Sequence, residues 1–155
     1  MMLTRRTLAA GLALLPLSAY SGRADAALPR MTVNKDPNCG CCGGWIDYLR
    51  ADGFAVDVVE TAAMDRIKAE HAVPAALHSC HTATIGGYVI EGHVPAGAIR
   101  RLLRQKPQAT GLAVPGMPAS SPGMDVPGAN DAYEVVLFGP SLQKSYARYR
   151  GRREI

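Results

Sequence analysis

Between residues 31 and 138 the apolar positions fall in short blocks whose spacing switches between a period of two and a period near 3.6. Met31-Thr-Val-Asn-Lys35 alternates and predicts a strand, closed by the turn cluster Asp36-Pro37-Asn38. Cys42 to Asp52 then reads as a helix, with Trp45, Ile46 and Leu49 on one face and Gly53 as its end. Phe54 to Glu60 is β-branched and alternating, so it predicts a second strand. Thr61 can cap a helix through Met64 and Ile67 to about Glu70, and Pro74 to Ser79 connects onward. Thr82–Ile85 and Tyr88–Glu91 flank Gly86-Gly87, a strong two-residue hairpin signal. Pro95 opens a helix with Ile99, Leu102 and Leu103 inward and Arg100, Arg101 and Arg104 outward. Pro107 to Asn130, rich in Pro and Gly, predicts a long ordered loop. Tyr133 to Phe138 is the last strand, and the basic end beyond it is expected to fray.

The first 26 residues follow another pattern. Arg5 and Arg6 precede a short apolar run from Leu8 to Leu17, and Ala24-Asp25-Ala26 offers small residues for cleavage. This reads as an export signal over 1–26. The apolar run is about 10 residues, short of the ~20 that span a bilayer, so no stable membrane insertion is expected. Thr4-Arg5-Arg6-Thr7-Leu8 also resembles a twin-arginine signal, with an ordinary secretory signal as the alternative. The mature protein is therefore expected in the periplasm, as a domain over 27–140 followed by a basic tail over 141–155.

At 155 residues and 48% hydrophobic, the chain has room for one compact domain and is too apolar to be wholly disordered. Its net charge of +4 invites a nucleic-acid reading, but the charge is unevenly placed. Removing the signal leaves 14 basic and 12 acidic residues, and the last fifteen residues alone hold five basic residues against Glu154. The folded middle is slightly acidic, so no nucleic-acid partner is expected.

The predicted order β-α-β-α-β-β-α, with cysteines at the first β-α junction, is that of a thioredoxin-like α/β domain. A mixed central sheet flanked by helices is the expected fold class. Thr82 to His93 resembles the strand, glycine turn, strand and glycine of glutaredoxins. Those proteins carry a cis-proline where this chain has His81, directly after Cys80.

The chain has four cysteines, too few for a disulfide scaffold, and three crowd into Cys39-Gly40-Cys41-Cys42. A helix N-terminus favours thiolate, the species that both nucleophilic chemistry and metal ligation need. In a thioredoxin-like fold the loop bearing Cys80 meets this helix start, so Cys39, Cys41, Cys42 and Cys80 are the candidate metal ligands. Thiolates suit Cu(I), zinc and iron–sulfur clusters. One tetrahedral zinc could take four cysteines, but adjacent Cys41 and Cys42 diverge, which favours a bridged cluster of several Cu(I) ions. Two structural disulfides, or simple C-x-x-C dithiol chemistry by Cys39 and Cys42, are the alternatives. Two Pro-Gly-Met repeats add soft thioethers at Met117 and Met124, whose other reading is that they cover the core. His81 and His93 are further candidate ligands, and a lone histidine is more often structural.

Cys39-Gly-Cys-Cys-Gly-Gly-Trp45, Ser79-Cys-His-Thr82, Gly87 to Pro95 and Gly111 to Pro118 with Ser121-Pro-Gly-Met124 resemble the CopG copper-resistance family. That resemblance covers about Met31 to Phe138. It implies a periplasmic thioredoxin-like fold whose cysteines, here Cys39, Cys41, Cys42 and Cys80, bind a multinuclear copper cluster. It also implies partnership with copper-efflux components, with storage, hand-off or interconversion of Cu(I) and Cu(II) left open.

Overall fold

The structure is a computed structural model that describes residues 27–155. The export signal expected over 1–26 lies outside the described residues. Strands β1 (Met31–Lys35), β2 (Val56–Glu60), β3 (His81–Ile85) and β4 (Tyr88–Glu91) alternate with helices α1 (Gly40–Ala51), α2 (Met64–Glu70) and α3 (Ala96–Gln105). Strands β5 (Gly111–Ala113), β6 (Ala132–Gly139), β7 (Leu142–Arg150) and β8 (Arg153–Glu154) complete one sheet, ordered β2-β1-β3-β4-β5-β6-β7-β8. β1 runs parallel to β2 and antiparallel to β3, and β4 runs parallel to β5, so the sheet is mixed. The molecule is thus a mixed α/β domain with helices against a central sheet. The arrangement of β1 to β4 is compatible with the thioredoxin-like reading, and four more strands extend it.

Successive residues of the inner strands separate two apolar layers. Ile90, Leu112 and Leu137 join Trp45, Ile46 and Leu49 of α1 and Ile99 and Leu102 of α3 in the larger core. Their neighbours Val89, Ala113 and Phe138 point the other way, toward Val73 and Leu77 after α2. This is strand alternation acting on a sheet covered on both sides. The hairpin between β3 and β4 turns on Gly86 and Gly87, whose φ values of 55° and 85° are those a tight primed turn demands.

Thr61 does not cap α2, which starts at Met64 with Ala63 at its N-cap, because the Thr61 hydroxyl accepts the Ala63 N–H in a turn before the helix. The structure departs from the sequence expectations at three further places. Helix α1 begins at Gly40, not Cys42, because Cys39 takes the extended N-cap conformation, so the cysteine motif occupies the first turn. Within the expected loop, Gly111–Ala113 forms β5, a fully buried strand too short to show a period. The tail expected to fray over 141–155 instead forms β7, which pairs with β6 from Leu142 to Arg150, and β8. A bulge opposite Val135/Val136 breaks the alternation there, and Lys144, Arg148 and Arg150 on exposed positions mask Ala147 and Tyr149 beneath. Among the described residues no helix is long and apolar enough to cross a membrane.

Candidate metal centre

Asp36 shapes the approach to α1. Its carbonyl accepts the Cys39 N–H at 3.0 Å and its carboxylate accepts the Asn38 N–H at 2.8 Å, folding the chain sharply into the helix. No acidic residue occupies the first turn and no side chain caps it. The helix start is left electropositive beside three sulfurs. Cys39 and Cys42 lie one turn apart, with Cα atoms 5.5 Å from each other, and are joined as a disulfide. Cys42 is fully buried, whereas Cys41 is half-exposed and free. The adjacent cysteines do face different surroundings.

Cys80 reaches this group from immediately before β3, whose first residue, His81, pairs with Lys35 at the end of β1. Its Sγ stands 4.0 Å from that of Cys41, which is 3.6 Å from that of Cys39. The ligand atoms of Cys39, Cys41, Cys42 and Cys80 all lie within 4.8 Å of one another. Metal–sulfur bonds of about 2.3 Å at tetrahedral angles separate sulfurs by roughly 3.7 Å, so the Cys39–Cys41 and Cys41–Cys80 spacings suit ions held between them, whereas the Cys39 and Cys42 sulfurs are bonded to each other. Four thiolates become available once the Cys39–Cys42 disulfide takes up two electrons.

Two buried imidazoles border Cys80. His93 donates from Nδ1 to the Pro122 carbonyl at 2.7 Å, which leaves Nε2 as an acceptor 3.0 Å from the Cys80 sulfur. His81 Nδ1 lies 3.2 Å from the same sulfur, and its Nε2 is buried with no hydrogen-bond partner. The His81 ring packs 4.3 Å from the Trp45 ring, and Trp45 donates from Nε1 to the Val94 carbonyl. Cys80, His81 and His93 therefore form a second group of possible metal donors sharing the Cys80 sulfur.

Burial governs the protonation of these groups. Desolvation, reinforced by the neighbouring Cys41 thiol, pushes the Cys80 thiol up to about 12. Desolvation likewise holds His81 well below the ordinary histidine value, with the charges of His93 and Lys68 adding to it. His93 is lowered for the same first reason. Both rings are thus neutral with lone pairs to offer, and a metal arriving at Cys80 must displace a proton.

The two Pro-Gly-Met repeats border the site through the backbone of their glycines. Gly116 donates to the His78 carbonyl at 3.1 Å and accepts from the Ser79 hydroxyl, beside Cys80. Gly123 lies so close to α1 that a Cβ there would sit 2.3 Å from the Trp45 nitrogen, while one on Gly44 would sit 2.8 Å from the Gly123 carbonyl. Met117 itself is exposed and Met124 half-buried. His78 bonds the Val73 carbonyl and plays a structural part. Sequence reasoning passed over Glu91 and Lys68, a buried ion pair behind Cys80. A carboxylate among the apolar residues of Tyr88-Val-Ile-Glu91 was its one signal.

Known proteins resemble this chain over most of its length. A family model described as a protein of unknown function, DUF411, matches residues 77–124, the segment holding Cys80, His81, His93 and both methionine repeats. No curated protein sequence matches the chain. Two solved structures, both of the copper resistance protein CopG, are 44% identical to it with a TM-score of 0.74. Each match covers 79% of this chain, and 98% of the CopG chain in Form 2 and 99% in Form 1. The chain belongs to the CopG copper-resistance family.

Proposed function

We propose that this protein binds Cu(I) through Cys39, Cys41, Cys42 and Cys80 as a thiolate-bridged cluster of several ions, and serves copper resistance in the periplasm. The observation that carries the reading is the convergence of four cysteine sulfurs from two distant segments within 4.8 Å. Thiolates are soft donors matched to Cu(I), and clustered thiolates bridge ions where one zinc would use each sulfur once. Copper is the cargo here. Its partly exposed position beside Cys39 and Cys41 suits hand-off to efflux components or interconversion of Cu(I) and Cu(II). In the latter case, closing the Cys39–Cys42 disulfide from two thiolates would release two electrons, enough to reduce two Cu(II) ions to Cu(I). Export by the segment 1–26 is part of this proposal, tested by sequencing the N-terminus of the periplasmic protein.

Anaerobic titration of the reduced protein with Cu(I) should give several equivalents per chain, lost together in Cys39→Ser or Cys80→Ser. One zinc per chain with no cooperative copper uptake would overturn it. One observation favours a second reading: Cys39 and Cys42 form a disulfide across the first turn of α1, the pairing of a thiol–disulfide oxidoreductase. Catalysed reduction of a protein disulfide by copper-free protein, retained in Cys80→Ser, would establish that reading instead.

A further inference from the structure

Behind Cys80, on the face of the sheet opposite Trp45, lies a buried polar cluster of Glu91, Lys68 and Thr82, whose hydrogen bonds run among its members and to the Ser79 backbone. Glu91 is completely buried at the end of β4, and Lys68 of α2 is buried against it. Lys68 Nζ donates to Glu91 Oε1 at 2.5 Å and to Thr82 Oγ1 at 3.1 Å. Thr82 donates to Glu91 Oε2 at 2.7 Å, and the Ser79 backbone N–H donates to Glu91 Oε1 at 2.6 Å. Gly92, the next residue, donates its N–H to the His81 carbonyl at 3.0 Å.

A buried ion pair is a poor way to gain stability, because two charges lose their hydration and an apolar pair of similar volume often does as well. What an apolar pair could not supply is acceptors for the chain around Cys80. Ser79 precedes β3 and has no strand partner for its N–H. Glu91 takes that N–H on one side of Cys80-His81 and the Thr82 hydroxyl on the other. The carboxylate thus spans the residues flanking the ligand, while Lys68, bonded to both Glu91 and Thr82, keeps it aimed.

We propose that the Lys68–Glu91 pair is a positioning device for Cys80. It holds Ser79-Cys80-His81-Thr82 in the conformation that carries the Cys80 sulfur toward Cys41 and His93. Glu91 and Lys68 touch no metal in this account and act through the backbone of Ser79 and the hydroxyl of Thr82. The inference rests on the reading of Cys80 as a copper ligand for its functional meaning, but the geometry can be tested without copper.

Two double variants of the full mature chain separate position from charge. Lys68→Met with Glu91→Gln removes both charges and keeps an acceptor for Ser79. Lys68→Met with Glu91→Leu removes the charges and the acceptor together. In reduced, copper-free protein, maleimide labelling of Cys80, read by peptide mass spectrometry, should be roughly tenfold faster in the leucine pair, as expected for losing a charge-assisted hydrogen bond. The glutamine pair should label within about twofold of wild type, because its amide oxygen still accepts from Ser79. Cu(I) uptake should follow the same order. Equal labelling of wild type and both folded double variants would overturn the proposal, as would equal acceleration in both. If the leucine pair fails to fold, Thr82→Val serves in its place, since it removes one hydroxyl and no charge; no acceleration there is equally fatal. A wild type that takes up no copper would sink the proposed function and leave the labelling result to decide the clamp.

Discussion

The two segments that bring sulfur to the site are held in opposite ways. Around Cys39, Cys41 and Cys42 the chain is glycine-rich and partly exposed. A Cβ on Gly40 or Gly43 would meet nothing within 4 Å. Around Cys80 nearly every polar atom is spoken for, by Glu91, Lys68, Thr82 and Gly92 on one side and by the neutral rings of His81 and His93 on the other. The difference separates a movable half from a fixed half. On the proposed function, the α1 start closes a disulfide or opens into thiolates, while Cys80 keeps its place.

The fixed half should be the costly one to disturb. Lys68→Met alone leaves Glu91 as a buried, unpaired carboxylate and should cost about 3–5 kcal/mol in a urea melt. A loss below about 1 kcal/mol would mean that water reaches the pair and the clamp is loose. Gly44→Ala marks the border between the halves. Its Cβ would stand 2.8 Å from the Gly123 carbonyl, a backbone atom that cannot step aside, so a cost of about 1–3 kcal/mol is expected. His93→Ala strips the Pro122 carbonyl of its donor and should cost about 1–3 kcal/mol. It should also expose the Pro118–Asp125 loop to protease before the rest of the chain. Gly43→Ala, on the movable half, should be the mildest change. With open space and a helical position, it should stabilise by about 0.5–1 kcal/mol, and a clear loss would show that α1 is less free than drawn.

Much of this was readable in the chain itself. Met31–Lys35 as a strand, the Gly86-Gly87 hairpin and the inward face of Ile99 and Leu102 follow from spacing and turn chemistry alone. The convergence of Cys80 with the first three cysteines needed only the β-α-β-α-β-β order. What escaped did so for physical reasons. β5 is three residues long and buried on both faces, leaving no alternation to detect. β7 hides its period behind a bulge and a row of basic residues that suggested a loose tail. The clamp was invisible because a glutamate and a lysine 23 residues apart declare nothing until α2 is laid on β4. The disulfide between Cys39 and Cys42 was an open alternative in the sequence, and the structure adopts it while leaving Cys41 and Cys80 free.

The central claim is that both halves close on copper together, and one sample decides it. Protein reduced and loaded with Cu(I) under anaerobic conditions, then freed of unbound metal, should contain more than one copper per chain. None of its four cysteines should react with a thiol reagent until the copper is chelated away. Four reactive thiols with no retained copper, or a single bound zinc in its place, would contradict the account.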